Sequence, residues 1–242
     1  MRPDEGPRAS AGEGTEASGA AGLTRHVRRA LESGTASSGP ARDPRFVGLP
    51  PAHPVVLIGP MGSGKSTVGR VLGPLLGLAV LDADHLFEEV HGPIAAFFTE
   101  HGEPAFRSAE ADLIREILSS HRPEVVSLGG GAVISATTRR ALQQEPGVIL
   151  LEVDEAEALA RLGGGEGRPV LAGDPASTWR RILSEREPLY REVATWTVKT
   201  TGLDAGEVAA RIADLLAERQ TETAPTPPPR QSPFEDHSGD AR

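Results

Sequence analysis

The order of residue patterns between residues 51 and 219 predicts a single α/β domain built on a doubly wound, five-stranded parallel sheet. Three observations carry that expectation. Five short apolar runs alternate with stretches of helical periodicity, as strand–helix–strand crossovers require. The first run leads directly into a glycine-rich octet that opens a helix. The second and third runs end in Asp82-Ala83-Asp84 and Gly129-Gly130-Gly131, at the strand ends where open α/β sheets bind ligands.

Val55-Val56-Leu57-Ile58 is apolar throughout, as befits a strand covered on both faces. Gly59-Pro60-Met61-Gly62-Ser63-Gly64-Lys65-Ser66-Thr67 follows with the spacing G-x-x-x-x-G-K-S, that of a phosphate-binding P-loop. Val68, Val71, Leu72, Leu75 and Leu76 then recur at helical spacing. Gly62 and Gly64 let the backbone curl so that successive N–H groups face phosphate oxygens, helped by the helix N-terminus. In that loop Lys65 bridges the β- and γ-phosphates and the Ser66 hydroxyl holds Mg²⁺, with Ser63 and Thr67 completing the nucleotide cradle. A turn that merely links strand to helix is the plain alternative, and the flanks disfavour it. The expected ligand is a nucleoside triphosphate.

Leu78-Ala79-Val80-Leu81 is the second run. On a continuing strand, Asp82 and Asp84 would point to opposite sides and serve separate tasks. Residues 85 to 120 read as helical, broken near Gly92-Pro93 and Gly102, with a longer helix opening at Phe106-Arg107. Glu124 to Leu128 is the third strand. The three glycines after it are hard to explain by packing and let a ligand press against bare backbone. Val148 to Leu151 is the fourth strand, followed by a helix from about Asp154 to Leu162. Gly163 to Pro169 is a glycine hinge around a cation, suited to a lid and equally to a plain connection. A helix from Pro175 carries Arg186 just before Pro188-Leu189-Tyr190; Thr195 to Thr200 is the fifth strand, and Gly206 to about Arg219 the last helix.

Residues 1–50 and 220–242 are rich in Gly, Ala, Ser and Pro and read as disordered extensions. Thr24 to Leu31 is a short basic stretch, either a docking segment or a solvated turn. A net charge of −9 argues against a general nucleic-acid or membrane-surface role. The chain has no cysteine, which excludes thiolate catalysis, disulfides and cysteine-ligated zinc. No apolar run reaches the length of a membrane span, so a cytoplasmic protein is the expectation.

Taken together, the P-loop, Asp82-Ala83-Asp84, Gly102-Glu103 with Phe106-Arg107 and Glu110, Ser127 to Ala132, Arg168-Pro169, and Arg186 with Pro188-Leu189-Tyr190 resemble the shikimate kinase family over roughly residues 53 to 217. The resemblance implies transfer of the γ-phosphoryl of MgATP to the 3-hydroxyl of shikimate, in aromatic amino-acid biosynthesis. It further implies strand order 2-3-1-4-5; a monomer is the expectation. By the same resemblance Asp84 meets the reacting hydroxyl and Arg107 and Arg186 clamp the substrate carboxylate. Gly129, Gly130 and Gly131 line the substrate pocket, and Asp82 helps to position Mg²⁺. Arg168 is the lid arginine, and Arg161 accompanies the nucleotide phosphates. Catalysis would then fall to Asp84, Lys65 and Arg168.

Two departures stand out. Ala95 and Ala96 occupy a place where the family often has an acid, and Thr200 to Asp204 offers no arginine for the adenine. The rival readings are another small P-loop metabolite kinase, resembling gluconate kinase, and a catalytically silent nucleotide-binding regulatory module. The first leaves Phe106-Arg107, the triple glycine and Arg186 unexplained. The second is at odds with the presence of Lys65, Asp84, Arg107 and Arg168 together.

Overall fold

The computed structural model describes residues 53–163 and 174–223. The expectations for residues 1–50, Thr24 to Leu31, Arg168 with the rest of the glycine loop past Gly163, and the tail after Thr223 lie outside the described residues.

Strands β1 (Val55–Ile58), β2 (Ala79–Asp82), β3 (Glu124–Ser127), β4 (Val148–Glu152) and β5 (Trp196–Lys199) form one parallel sheet in the order β2-β3-β1-β4-β5. All four neighbouring pairs are parallel, with Leu57 opposite Ser127 on one side and Ile149 on the other. The helices are α1 (Lys65–Leu76), α2 (Ala83–His91), α3 (Ile94–Ser119), α4 (Ala136–Leu142), α5 (Glu155–Arg161), α6 (Pro175–Val193) and α7 (Ala205–Thr223). A 3₁₀ turn occupies Ala132–Ile134.

Strand alternation divides the core in two. Val55 and Leu57 pack with Leu72 and Leu76 of α1 and Val208 and Ile212 of α7. Val56 and Ile58 face the other way, onto Leu86, Leu113, Ile117 and Tyr190. Each such apolar side chain taken fully from water contributes about 1.5–3 kcal/mol, which is why β1 tolerates no polar residue on either face. Among the described residues no helix is long and apolar enough to cross a membrane.

Local chemistry sets the helix ends. Gly77, in the left-handed region (φ 66°), closes α1, and Leu78 N–H donates to the Gly73 carbonyl (2.8 Å). Asp174 caps α6 by accepting from Ala176 N–H (3.1 Å) and Ser177 N–H (3.3 Å), with Pro175 in the first turn. Helix α3 is kinked at Gly102 (φ 79°, ψ 168°), with Pro104 just beyond, where the sequence predicts a break.

Two elements differ from the sequence expectation. Strand β2 stops at Asp82 and α2 begins at Ala83, so Asp82 and Asp84 do not alternate along a strand. The reason is capping: Asp82 Oδ1 accepts from Asp84 N–H (3.1 Å) and His85 N–H (3.3 Å) and starts the helix there. Helix α4 and the 3₁₀ turn were not expected at all. In Ala136-Thr137-Thr138-Arg139-Arg140-Ala141-Leu142 only Thr138 and Leu142 are buried, too few to make an apolar stripe.

All five strands run the same way, so the segments that follow them gather along one edge of the sheet. There the P-loop, Asp82 with Asp84, the triple glycine, Asp154 and Thr200 become neighbours.

Candidate active site

The P-loop follows β1 with Gly59, Gly62 and Gly64 at φ 142°, 82° and 91°, conformations that residues with a β-carbon rarely adopt. It also packs tightly: a β-carbon on Gly62 would lie 2.8 Å from the Ala158 carbonyl of α5. Donors from three places hold the loop's outward carbonyls. Lys65 Nζ donates to Gly59 O (2.9 Å) and Pro60 O (3.0 Å), Trp179 Nε1 of α6 to Met61 O (3.0 Å), and Arg161 Nη1 to Gly62 O (3.3 Å). The negative ends of these peptide dipoles are thus compensated, and an anion in the loop meets the helix N-terminus rather than bare carbonyls. Ser63 Oγ is buried beneath it without a protein partner.

A cleft of ≈ 620 Å³ opens from the loop toward the turn after β5. Lys65, Thr67, Asp84, Arg161, Leu203 and Asp204 are among its walls. Arg161 spans it: besides Gly62, its guanidinium donates to Thr200 Oγ1 (3.1 Å), Thr200 O (2.9 Å) and Glu157. Glu157 in turn accepts from Gly202 N–H (2.8 Å), and Thr201 Oγ1 accepts from Asp154 N–H (2.9 Å). Arg161 therefore braces the P-loop against the Thr200–Leu203 turn. A smaller cavity of ≈ 200 Å³ lies behind the loop between β4 and α6, where Arg191 bridges Glu152 and Glu187, each at 2.8 Å.

Asp84 stands where the cleft meets the triple glycine. A β-carbon on Gly129 would lie 2.5 Å from Asp84 Oδ1 and 3.2 Å from Glu110 Oε1. Gly131 is pressed in the same way by Arg107, whose Nη2 would be 2.6 Å from an added β-carbon. On α6, Arg186 Nη1 (3.1 Å) and the Tyr190 hydroxyl (2.5 Å) both donate to the Gly130 carbonyl. Arg186 Nε is buried with no hydrogen-bond partner in the protein, a donor directed at something the polypeptide does not supply. Arg107 Nη1 donates to the buried Glu110 (2.8 Å) and its Nη2 lies 3.4 Å from Glu103.

Electrostatics separate these groups. Desolvation by the cleft walls, and then the charge of Asp82, push Asp84 above its ordinary carboxylate value, against the pull of Lys65 and Arg107. Its side chain still reaches solvent, so this loss of hydration is partial. Burial likewise raises Glu110, opposed by Arg107. Burial pushes the Tyr190 hydroxyl up to about 12, which keeps it a donor at every physiological pH.

The structure brings together Gly62, Ser63, Gly64, Lys65, Ser66, Thr67, Asp84, Gly130 and Arg161 around one cleft. Arg107, Gly129, Gly131 and Arg186 adjoin it through Asp84 and Gly130. Asp82 stays at the strand end as a helix cap, and Arg168 lies outside the described residues. Sequence reasoning gave no role to Glu110, Tyr190, Ser127 or Thr200. Tyr190 is the sole tyrosine of the chain and sits four residues after Arg186, one helical turn, a signal that could have paired them.

A family model for shikimate kinase matches residues 61–217. A shikimate kinase of Rhodococcus jostii RHA1 is 43% identical over 169 residues, covering 69% of this chain and 99% of that protein. One of Saccharopolyspora erythraea is 45% identical over 163 residues, covering 66% and 92%. The solved structure of a shikimate kinase from Acinetobacter baumannii in complex with shikimate superposes with a TM-score of 0.66 at 38% identity, covering 73% of this chain and 97% of that one.

Proposed function

The chain belongs to the shikimate kinase family, and we propose that it transfers the γ-phosphoryl group of ATP to the 3-hydroxyl of shikimate. One observation carries the reading: Asp84 lines the P-loop cleft with Lys65 and at the same time presses on Gly129, beside the Arg107 and Arg186 cations. A carboxylate at that junction can hold an acceptor hydroxyl facing the γ-phosphoryl, while two guanidinium groups hold an acid at the far end of the same small molecule.

The roles follow from the chemistry of each group. The P-loop N–H groups, Lys65 and the Ser63–Thr67 segment cradle the phosphates, and Lys65 follows the charge of the migrating group. Arg161 accompanies the nucleotide phosphates, and the Thr200–Asp204 turn that it bonds forms the wall at the other end of the cleft, where an arginine after β5 is lacking. Arg107 and Arg186 receive the carboxylate through their planar forks. Tyr190 keeps the Gly130 carbonyl bonded, so that the glycine wall presents backbone without an unpaired acceptor. Asp84, ionised, orients the hydroxyl and takes its proton as the phosphoryl arrives. Arg168 is assigned to the lid over the phosphates by its Arg-Pro motif.

Mg²⁺ fits the residues present. Ser66 Oγ lies 3.4 Å from Ser127 Oγ, and Ser127 pairs across the sheet with Asp82. Ser66 and Asp82 thus flank one serine and form an oxygen-only donor set, which suits a hard cation completed by phosphate oxygens. When bound, the ion neutralises charge on the phosphates. A monomeric, cytoplasmic enzyme is part of the reading.

Coupled ADP release with MgATP tests it directly. Turnover is expected with shikimate and not with gluconate. ADP release with gluconate, or none with shikimate by folded protein, overturns the assignment.

A further inference from the structure

The wall of the acceptor pocket is tied to α6 directly at one end and through α4 at the other. At one end the Gly130 carbonyl receives Arg186 Nη1 and the Tyr190 hydroxyl from α6. The wall then runs into the 3₁₀ turn, held by Ala132 N–H to Gly129 O and Ile134 N–H to Gly131 O, both 3.0 Å. At the far end of that turn the carbonyls of Val133 (2.8 Å) and Ile134 (3.0 Å) both receive Arg139 Nη1 from α4. Arg139 Nε lies 3.0 Å from Glu192 Oε2, an ion pair whose Nε–H is not aligned for a hydrogen bond, and Glu192 Oε1 accepts from Gln143 Nε2 (3.0 Å), the residue that caps α4 at its C-terminus. Glu192 belongs to α6, two residues beyond Tyr190 and six beyond Arg186. The path from Gly130 through Arg139 and Glu192 back to Arg186 is a closed ring.

We infer that Arg139, steered by Glu192 and Gln143, is a positioning residue that sets the distance between the Gly129–Gly131 wall and the Arg186 guanidinium. It would thereby tune capture of the acid substrate without touching it. The inference rests on reading that pocket as the acceptor site. None of the three residues lines the cleft, and the nucleotide side is braced separately by Trp179 and Arg161. A closed ring transmits displacement: were Arg139 lost, the 3₁₀ turn would keep the burial of Ala132 and Val133 but lose the donor on its last two carbonyls, next to glycines that resist bending least. A guanidinium pair with a carboxylate tolerates little misplacement, and an error of about 1 Å is enough to lower catalysis by up to ~10²-fold. The ion pair itself adds little stability, because the Glu192 side chain is 40% exposed. Its removal should therefore show in binding before it shows in folding.

The test uses the full chain and compares wild type with Arg139→Ala, Arg139→Lys, Glu192→Ala and the double alanine variant. KM for shikimate, KM for ATP, kcat and Tm are measured for each. Arg139→Ala should raise the shikimate KM by ~10-fold and leave the ATP KM within ~2-fold. Arg139→Lys, which can still reach one carbonyl, should recover part of the loss. Glu192→Ala should raise the shikimate KM by ~3-fold, and adding it to Arg139→Ala should change nothing further. Equal shifts in both KM values together with a lower Tm would show a structural staple and overturn the inference. So would a shikimate KM within ~2-fold of wild type in these variants. Should Arg139→Ala not fold, Glu192→Ala decides by the same criterion. A wild type that fails to phosphorylate shikimate overturns the site reading itself; variants that match an active wild type overturn only the positioning role.

Discussion

The nucleotide cleft and the acceptor pocket share one sheet edge and both depend on glycine, for opposite reasons. Gly59, Gly62 and Gly64 sit at positive φ, so the P-loop needs them for the path of its backbone. Gly131 has φ −97°, which any residue adopts, and neither Gly129 nor Gly130 is at positive φ. There the lack of a side chain serves neighbours: Asp84 and Arg107 occupy the space a β-carbon would fill. The first site is therefore made of one contiguous backbone curve. The second is made of side chains from α2, α3 and α6 converging on a flat wall. Such a site is as good as the ion pairs and hydrogen bonds that aim its members.

The deepest break in each half comes from removing its charge. Lys65→Ala and Asp84→Asn should each lower kcat by ~10²-fold or more, the first with weakened ATP binding and the second with shikimate binding still measurable. Calorimetric titration of shikimate with a non-hydrolysable ATP analogue separates the two. Near wild-type turnover of Asp84→Asn would remove Asp84 from the reaction. The pH dependence sharpens the point. The folded pKa of Asp84 lies above its unfolded value, so in that window the native state holds more protons and stability falls as pH rises. Turnover has the opposite slope, because the ionised form acts on the hydroxyl. The acid limb of kcat/KM should accordingly lie above 3.8, the ordinary value for Asp84, and Arg107→Gln, which deletes a cation that lowers it, should move the limb higher still. A limb that ignores Arg107→Gln would assign it to another group.

This contrast also explains what the residues alone made legible. The P-loop announces itself because strand, glycines, Lys65 and helix are adjacent in the chain. The sheet order followed only from the family resemblance, since five apolar runs do not state which are neighbours. Arg107 and Arg186 are 79 positions apart by number, and nothing local says that both meet the glycine wall; the resemblance brought them together, and Arg186 bonds the Gly130 carbonyl while Arg107 packs on Gly131. The alternation of Asp82 with Asp84 failed because a period-2 argument assumes a strand that continues, whereas the Asp82 carboxylate caps α2 and ends the strand. The Arg139–Glu192 contact was invisible because α4 lacks an apolar stripe and the pair joins elements far apart in the chain.

Single methyl groups separate the two kinds of glycine. Gly131→Ala should push on the Arg107 guanidinium and raise the shikimate KM by ~10-fold, with the ATP KM unchanged. Gly64→Ala meets nothing nearer than 3.6 Å, yet strains a backbone at φ 91°, at a cost of about 1–3 kcal/mol. Its penalty should fall on the ATP KM. Steady-state kinetics with each substrate varied in turn would show this crossing pattern. If both variants affected both substrates alike, the two halves of the site would not be independently built.

The smallest effect is expected from the extensions. Residues 1–50 and 224–242 lack the apolar periodicity needed to join either face of the core. The relative from Rhodococcus jostii is matched over 99% of its own length by 169 residues of this chain, so a protein of the same family is complete without such segments. The core clusters on the two faces of the sheet are built from described residues, and α7, which packs on one of them, runs to Thr223 rather than stopping near Arg219. A chain cut to residues 51–223 should therefore keep kcat and both KM values within ~2-fold of the full chain. Cutting at 219 instead would remove the last turn of α7 and should lower Tm slightly without changing kinetics. Parallel thermal melts and initial rates on the three lengths decide the matter. A fall in turnover on removing residues 1–50 at equal folded fraction would give that segment a part in the site, and the contrast between a self-contained catalytic domain and passive extensions would fail.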